Sequence, residues 1–166
     1  MAQKTMINLE QTAQKGKFLT FCIANQEYGI EIENILEIIV IDEQTIIPMP
    51  EMPEHVRGIV NLRGSIIPVV DISHRFKMDH KMNTQHNNTC IIIVDVNSTT
   101  AGFIVDEVQE VLDIKDESIS MPPQINRSFH EHFIKGIGKT ESGMKLLLDC
   151  EKLLYADSLD MTKETA

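Results

Sequence analysis

The chain has 166 residues, of which 42% are apolar and 24% charged, with 15 Lys and Arg against 25 Asp and Glu. This composition excludes a mainly disordered chain, and the net charge of −10 makes nucleic acid an unlikely partner because it repels phosphate backbones. No apolar run reaches the roughly 18 residues of a membrane helix, and the N-terminus lacks the apolar core of a signal peptide, so we predict a cytoplasmic protein.

The composition also indicates the fold class. Ile and Val number 23 and 10 against only 6 Ala, and β-branched side chains pack better on sheets than in helices. We therefore predict a mainly β protein. The three cysteines, Cys22, Cys90 and Cys150, form no C-x-x-C pair and are predicted to be buried thiols.

The first half of the chain contains β-prone runs separated by turn residues. Residues 1–17 are predicted to be a flexible tail. Gly64 can supply the positive φ that a tight chain reversal requires. Three prolines at 48, 50 and 53 bar regular structure. In order, we predict a hairpin over 18–32, a helical turn over 33–36, a strand over 37–41, a helical turn over 54–57, strands over 58–62 and 66–72, and a short helix over 72–77.

The second half has the same character. A polar stretch over 78–88 is predicted to connect two subdomains, and residues 155–166 form a second tail. Residues 121–132 are predicted to be loop or short helix. The predicted strands cover 89–96, 101–105, 108–114, 133–137 and 145–150, and the last two pair around the turn region 138–143.

The two halves form a weak internal repeat. At a spacing of 73 residues, Tyr28-Gly29, Ile35, Glu37 and Ile38 match Ala101-Gly102, Val108, Glu110 and Val111. At a spacing of 78, Arg57-Gly58-Ile59 and Val69-Val70-Asp71 match Lys135-Gly136-Ile137 and Leu147-Leu148-Asp149. The repeat predicts two similar five-stranded β-barrel subdomains, at about 18–77 and 89–154.

Three sequence patterns suggest a nucleotide, metal or catalytic site, but each lacks a feature that such a site needs. Gly138-Lys139-Thr140 resembles the end of a P-loop, yet Phe133 stands where that motif needs glycine. His130 and His132 lack a third metal ligand at useful spacing. Cysteines in core strands would be inert. We therefore predict no catalytic residue, no metal site and no cofactor.

One segment is distinctly acidic. From Phe18 to Val56 the chain has eight carboxylates and no Lys or Arg. These charges could simply keep a solvated strand face from aggregating, or they could mark a docking surface, and the sequence leaves both open. Arg63 could pair with Glu37 across strands, fixing geometry more than stability.

Three groups of residues carry a resemblance to a known family. They are Gln26-Glu27-Tyr28-Gly29-Ile30-Glu31-Ile32 with Leu36-Glu37-Ile38, then Arg57-Gly58-Ile59-Val60-Asn61-Leu62-Arg63-Gly64 with Pro68-Val69-Val70-Asp71, and finally Asp149-Cys150-Glu151-Lys152-Leu153-Leu154. Over residues 18–154 the chain resembles the bacterial chemotaxis coupling protein family, CheW. The most specific element is Gly-x-x-Asn-Leu-Arg-Gly followed by Pro-Val-Val-Asp.

The resemblance implies an adaptor with two SH3-like barrels and no enzymatic activity. Such an adaptor joins methyl-accepting chemoreceptors to the histidine kinase CheA in arrays at the inner face of the membrane. The receptor's hairpin tip would dock in an apolar groove between the barrels, and the kinase's regulatory domain would pack against the barrel ends. Ile35, Ile38, Val108 and Val111 are expected to line the groove. The expected binding residues are Ile35, Glu37, Ile38, Gly58, Asn61, Arg63, Gly64, Gly102, Val108 and Val111.

Among these residues, Gly58 and Gly64 are expected to be conformational, Glu37 and Arg63 to form an orienting ion pair, and the Ile residues to make direct contacts. Three alternatives stay open. The same module could serve a pilus or second-messenger pathway, or be a piece of a larger coupling protein, although Met1 and the polar tails favour a separate chain. A small β-barrel enzyme would need a pocket with a perturbed titratable residue. A peptide-binding barrel pair would need aromatic walls, and the chain has no Trp and two Tyr.

Overall fold

The computed structural model describes residues 16–41, 46–76, 89–121 and 133–154. No helix in these ranges is long and apolar enough to cross a membrane. Short 3-10 helices cover Ile32–Asn34 and Asp116–Ser118, and short α-helices cover Ile72–Arg75 and 150–154. The strands are β1 Lys17–Ile23, β2 Gln26–Glu31, β3 Ile35–Val40, β4 Val56–Leu62, β5 Ser65–Asp71, β6 Cys90–Val96, β7 Thr99–Val105, β8 Glu107–Asp113, β9 Ile119–Ser120, β10 Ile134–Thr140 and β11 Gly143–Leu148.

The strands form two sheets, which confirms the predicted mainly β class. One has the order β8-β1-β2-β11-β10-β9 and the other β3-β6-β7-β5-β4. Neighbouring strands are antiparallel except for the pairs β2–β11 and β5–β7, which are parallel. Each sheet curls around apolar side chains of its own, so we name them barrel A and barrel B respectively.

The internal repeat accounts for the strand pattern except for the two-residue strand β9. Adding 73 to the bounds of β1 gives those of β6, and adding 78 to the bounds of β4 gives those of β10. The parallel pairs are equivalent as well, because Leu147 lies opposite Gly29 in barrel A and Val69 opposite Gly102 in barrel B. With these equivalences, β8-β1-β2-β11-β10 and β3-β6-β7-β5-β4 are the same order of strands.

The barrels do not coincide with the two halves of the chain. Barrel A combines the first hairpin, β1–β2, with β8–β11, whereas barrel B combines the hairpin β6–β7 with β3–β5. The predicted subdomains at 18–77 and 89–154 were therefore wrong as barrel boundaries: each half contributes a hairpin to the other barrel. The connections from β2 to β3 and from β7 to β8 are too short for the next strand to start within the same barrel.

The largest core lies between the barrels. It includes Phe21, Tyr28, Ile38, Ile92 and Phe103, from strands of both sheets. A second cluster, with nine buried residues from all five strands, fills barrel B, and a smaller one, with three, fills barrel A. Both faces of β6 are thus covered, which explains its unbroken apolar run.

Most local predictions agree with the structure. The hairpin turns and the helix after Asp71 are present, and Asp71 caps this helix by accepting hydrogen bonds from the backbone N–H groups of Ser73 and His74. The helical turn predicted over 54–57 was wrong at its end, because Val56 already pairs with Val70 in the sheet. The tails 1–15 and 155–166, the predicted connection over 78–88 and residues 122–132, with His130 and His132, lie outside the described residues.

Gly58 lies where another segment of the chain crosses the end of barrel B. Ile47 and Ile59 exchange two backbone hydrogen bonds of 2.8 and 2.9 Å there. Gly58 has φ +151°, and a Cβ at this position would overlap the carbonyl oxygen of Ile47. Only glycine lets β4 pass this close to the crossing segment.

Cutting the chain between the two halves should leave one folded particle. We expect a protein cleaved at a protease site inserted within residues 78–88 to elute from a sizing column as a single species containing both fragments. The reason is that each sheet uses strands from both fragments. If the two fragments separate without denaturant and each keeps the circular dichroism spectrum of a β protein, the exchange of hairpins between the barrels is contradicted.

Gly58→Ala should destabilise the fold by at least about 2 kcal/mol, because the methyl group meets backbone that cannot move aside. Gly64→Ala is the matched control, since this glycine also has positive φ but has no atom within 4 Å of the added Cβ. Its cost should be about 1 kcal/mol, from backbone strain alone. Urea unfolding measures both, and equal losses would argue against the crossing contact.

Candidate functional site

The turn between β4 and β5 presents an arginine in a costly backbone conformation. Leu62 pairs with Ser65, so Arg63 and Gly64 are the two turn residues, with φ of 53° and 88°. Positive φ at both positions defines a type I′ turn, which favours Asn or Gly at its first position. The side-chain oxygen of Asn61 accepts a 3.0 Å hydrogen bond from the N–H of Gly64 and so helps to hold the turn.

Glu37 fixes the Arg63 side chain from the far edge of the same sheet. An amino nitrogen of Arg63 donates to Oε1 of Glu37 at 3.1 Å, which confirms the predicted ion pair. The Glu37 side chain is 9% exposed and that of Arg63 is 74% exposed. Because β3 and β4 are opposite edges of barrel B, the pair bridges these edges and leaves most of the guanidinium open to a partner.

Four apolar residues predicted to line an exposed groove lie together, but not on the surface. Ile35, Ile38 and Val108 are 7%, 0% and 8% exposed, and Val111 is half-buried against the same cluster. The expectation of an exposed apolar strip was therefore wrong for the first three. They belong to the core between the barrels, because the exchanged hairpins bring the two sheets face to face.

The predicted glycines act through packing and conformation. Gly58 and Gly64 both have positive φ, as a conformational role requires. Gly102 is buried on β7, where an added Cβ would lie 2.6 Å from Cγ2 of Ile91. Of the ten predicted residues, the structure therefore groups Glu37, Asn61, Arg63 and Gly64 at one exposed corner. We call these four residues the Arg63 corner.

The sequence reasoning missed several exposed apolar side chains near the turns. Leu36, next to Glu37, is 55% exposed, and Ile66, which pairs with Asn61, is 69% exposed. Met144 is 61% exposed and is the repeat equivalent of Ile66. The signal was available in the repeat itself, since two equivalent hairpins carry a large apolar residue at the same outward position.

A second ion pair, also missed, lies in barrel A. Lys145 is 2% exposed and pairs with Glu27, which also accepts a 3.3 Å hydrogen bond from Gln109. The hydrogen bond from Lys145, and then that from Gln109, lowers the pKa of Glu27. The equivalent of Lys145 in barrel B is Ile67, a core residue, so comparing the repeats could have revealed this buried charge.

The cysteines sit where a thiol is a poor nucleophile. Burial raises the pKa of Cys90 to about 11 and that of Cys150 to about 12, so both are protonated at neutral pH. Burial also raises the pKa of Cys22. Across the part of the chain that the structure describes, no three His, Cys, Asp or Glu residues are grouped to hold a metal ion.

Known proteins resemble this chain over most of its length. The family model described as CheW-like domain matches residues 17–158. The Chemotaxis protein CheW of Klebsiella aerogenes is 31% identical, over 90% of this chain and 88% of that protein. The Chemotaxis protein CheW of Helicobacter pylori is 34% identical, over 89% and 87%. Among solved structures, the scaffolding protein TtCheW from Thermoanaerobacter tengcongensis superposes with a TM-score of 0.72 and 35% identity, covering 82% of this chain and 90% of that one.

The Glu27–Lys145 pair should make stability depend on pH. The folded pKa of Glu27 is lowered from 4.5, so its contribution is present above pH 4.5 and is lost as the pH falls through the folded value. We expect Glu27→Gln to be less stable than wild type at pH 7, and the difference to shrink steadily below pH 4.5. Urea unfolding from pH 7 to pH 3 measures this; a difference that stays constant over the range would contradict it.

Proposed function

The chain belongs to the CheW-like domain family and is a chemotaxis adaptor; from that premise we propose that it couples methyl-accepting chemoreceptors to the histidine kinase CheA through the Arg63 corner. The observation that carries this assignment is the Arg63 turn itself. An arginine at positive φ, oriented by a buried carboxylate from another strand and still largely exposed, is positioned to bind a partner.

The geometry suits a role in binding rather than in chemistry. The Arg63 corner offers up to five N–H donors in a fixed orientation, of which Glu37 uses only part. Two exposed apolar residues adjoin members of this corner, because Leu36 precedes Glu37 along the chain and Ile66 pairs with Asn61 in the hairpin. A corner of this composition is typical of an interaction hot spot, in which an arginine is surrounded by apolar contacts.

We assign the receptor to this corner of barrel B. A receptor hairpin tip consists of two antiparallel helices, and such a tip can present both an apolar stripe and carboxylates. The exposed Leu36 replaces Ile35, Ile38 and Val108 as the apolar contact in this proposal, since those three are part of the core.

We assign the kinase's regulatory domain to the outer faces of the hairpin ends. The β4–β5 and β10–β11 hairpins are repeat equivalents, and each exposes a large apolar residue, Ile66 or Met144. Two equivalent faces on one chain allow it to contact two neighbours at once. A scaffold recruited in this way to receptor arrays at the inner face of the membrane would connect receptors to kinase without catalysing a reaction.

In the proposed mechanism, the receptor and the kinase bind simultaneously and each alters the affinity for the other. Coupling of this kind is typically worth about 1 to 3 kcal/mol and is reciprocal between the two sites. The core shared by the two barrels supplies the connection, because side chains of both sheets interdigitate there. The names of the relatives favour chemotaxis over a pilus or second-messenger pathway.

Arg63→Ala should reduce receptor-stimulated autophosphorylation of CheA, in membranes containing receptor, by at least about tenfold. The reason is loss of the recognition contact, since the Arg63 side chain is 74% exposed and an ion pair with so exposed a partner contributes only about 1 kcal/mol to stability. Lys152→Ala is the matched control. It removes an exposed cation from the helix 150–154, outside both hairpins, and should leave activation unchanged.

Two further measurements separate recognition from folding. The urea midpoint of Arg63→Ala should stay close to that of wild type, and direct binding of the variant to isolated CheA should be retained. Leu36→Ser should weaken receptor binding, whereas Met144→Ser, a matched exposed apolar change, should not. Full activation of CheA by the Arg63→Ala variant would overturn the proposed site. If neither the variant nor the wild type activates CheA, the proposed pathway is overturned.

A further inference from the structure

A cavity of about 630 Å³ opens at the end of barrel A that lies opposite the β10–β11 turn. Its floor is apolar and consists of Phe18, Ile114 and Leu147, which are the three buried residues of the barrel A core. The half-buried Ile119 extends this floor. The rim carries five carboxylates, those of Glu31, Glu33, Asp113, Asp116 and Glu117.

Most of the negative charge on this rim is uncompensated. Lys135 pairs with Glu31, which leaves Lys115 beside the other four carboxylates. Within the described part of the chain, none of those four carboxylates makes an ion pair. The cavity thus combines an apolar floor with a rim whose excess charge is negative.

Lys135 illustrates the ligand chemistry that this cavity accommodates. Its ammonium nitrogen lies 5.9 Å from the centre of the Phe18 ring and is paired with the carboxylate of Glu31. The aliphatic part of the side chain can meanwhile cover apolar surface. A cation between an aromatic face and a carboxylate is a favourable arrangement. The remaining carboxylates can pair with further cations.

The equivalent end of barrel B provides an internal comparison. Ile104 of barrel B occupies the position of Glu31, and Val40 that of Asp113. Barrel B also has nine buried core residues, with Ile46 packed against them, where barrel A has three. Since the strand order is the same, the open acidic cavity is a property of this barrel's side chains and is not required by the fold.

We propose that this end of barrel A is a docking site for a partner protein segment in which Lys or Arg alternates with apolar residues. The apolar side chains enter the floor over Phe18 and Ile114, and the cations pair with Asp113, Asp116 and Glu117. The site belongs to the barrel that lacks the Arg63 corner, so it adds an interaction to the proposed receptor coupling and does not depend on it.

A titration of the ¹⁵N-labelled full chain with a defined probe tests the site. The probe is an acetylated, amidated hexapeptide of alternating arginine and leucine; the control peptides replace arginine with glutamine or glutamate. We expect the arginine peptide to shift the amide resonances of Phe18, Ile114 and Ile119, and the control peptides to leave them unchanged. No binding of the arginine peptide, or shifts centred elsewhere, would overturn the proposal.

Matched charge variants distinguish binding at this site from a general attraction of the peptide to an acidic protein. The triple variant Asp113→Asn, Asp116→Asn, Glu117→Gln should weaken peptide binding by about tenfold. The triple variant Glu51→Gln, Glu141→Gln, Glu151→Gln removes the same charge at exposed positions outside the cavity and should change binding less than twofold. Equal weakening by both triple variants would show attraction to net charge alone and overturn the site.

Discussion

The shortness of two connections governs the architecture of this protein. Three residues, Ile32–Asn34, join β2 to β3, and one residue, Asp106, joins β7 to β8. In barrel A, β8 begins at the end of the sheet opposite to the end where β2 finishes. In barrel B, β3 and β7 are related in the same way. Reaching that point within one barrel would mean covering a strand length of about 20 Å with a connection that spans at most about 14 Å. The hairpins must therefore cross to the other barrel.

This exchange determines which residues can act as a site. Ile35 and Val108 are repeat equivalents that follow the short connections directly, so they enter the core between the barrels. The proposed recognition site instead uses residues at the ends of strands. There Asn61, Gly64 and Glu37 together hold Arg63 in an exposed orientation, and the cost of its backbone conformation is offset by the packed barrel behind it.

The two barrels share their strand order but differ in what fills them. Barrel B has the larger apolar core, and its Glu37–Arg63 pair closes one end. Barrel A replaces the core residue Ile67 with the buried Lys145 and Ile104 with Glu31, and each of these charged residues is held in a Lys–Glu pair. Since equivalent positions have the same backbone surroundings, such differences identify where one repeat was specialised. They give equivalent positions of the two barrels different charges.

Residue patterns along the chain were enough to predict the local elements and the repeat. Alternating apolar residues, the turn at Arg63-Gly64 and the Asp71 cap depend on neighbours in the chain, so the strands and the hairpins could be derived. The Glu37–Arg63 pair joins residues 26 positions apart, and its prediction drew on their opposite charges. The same residues could not reveal which hairpin joins which barrel, because either pairing satisfies the same periodicity. That choice depends on the geometry of strand ends across the sheet. The assembly of the strands therefore places Ile35, Ile38 and Val108 in the core, buries Lys145 and leaves one barrel end open.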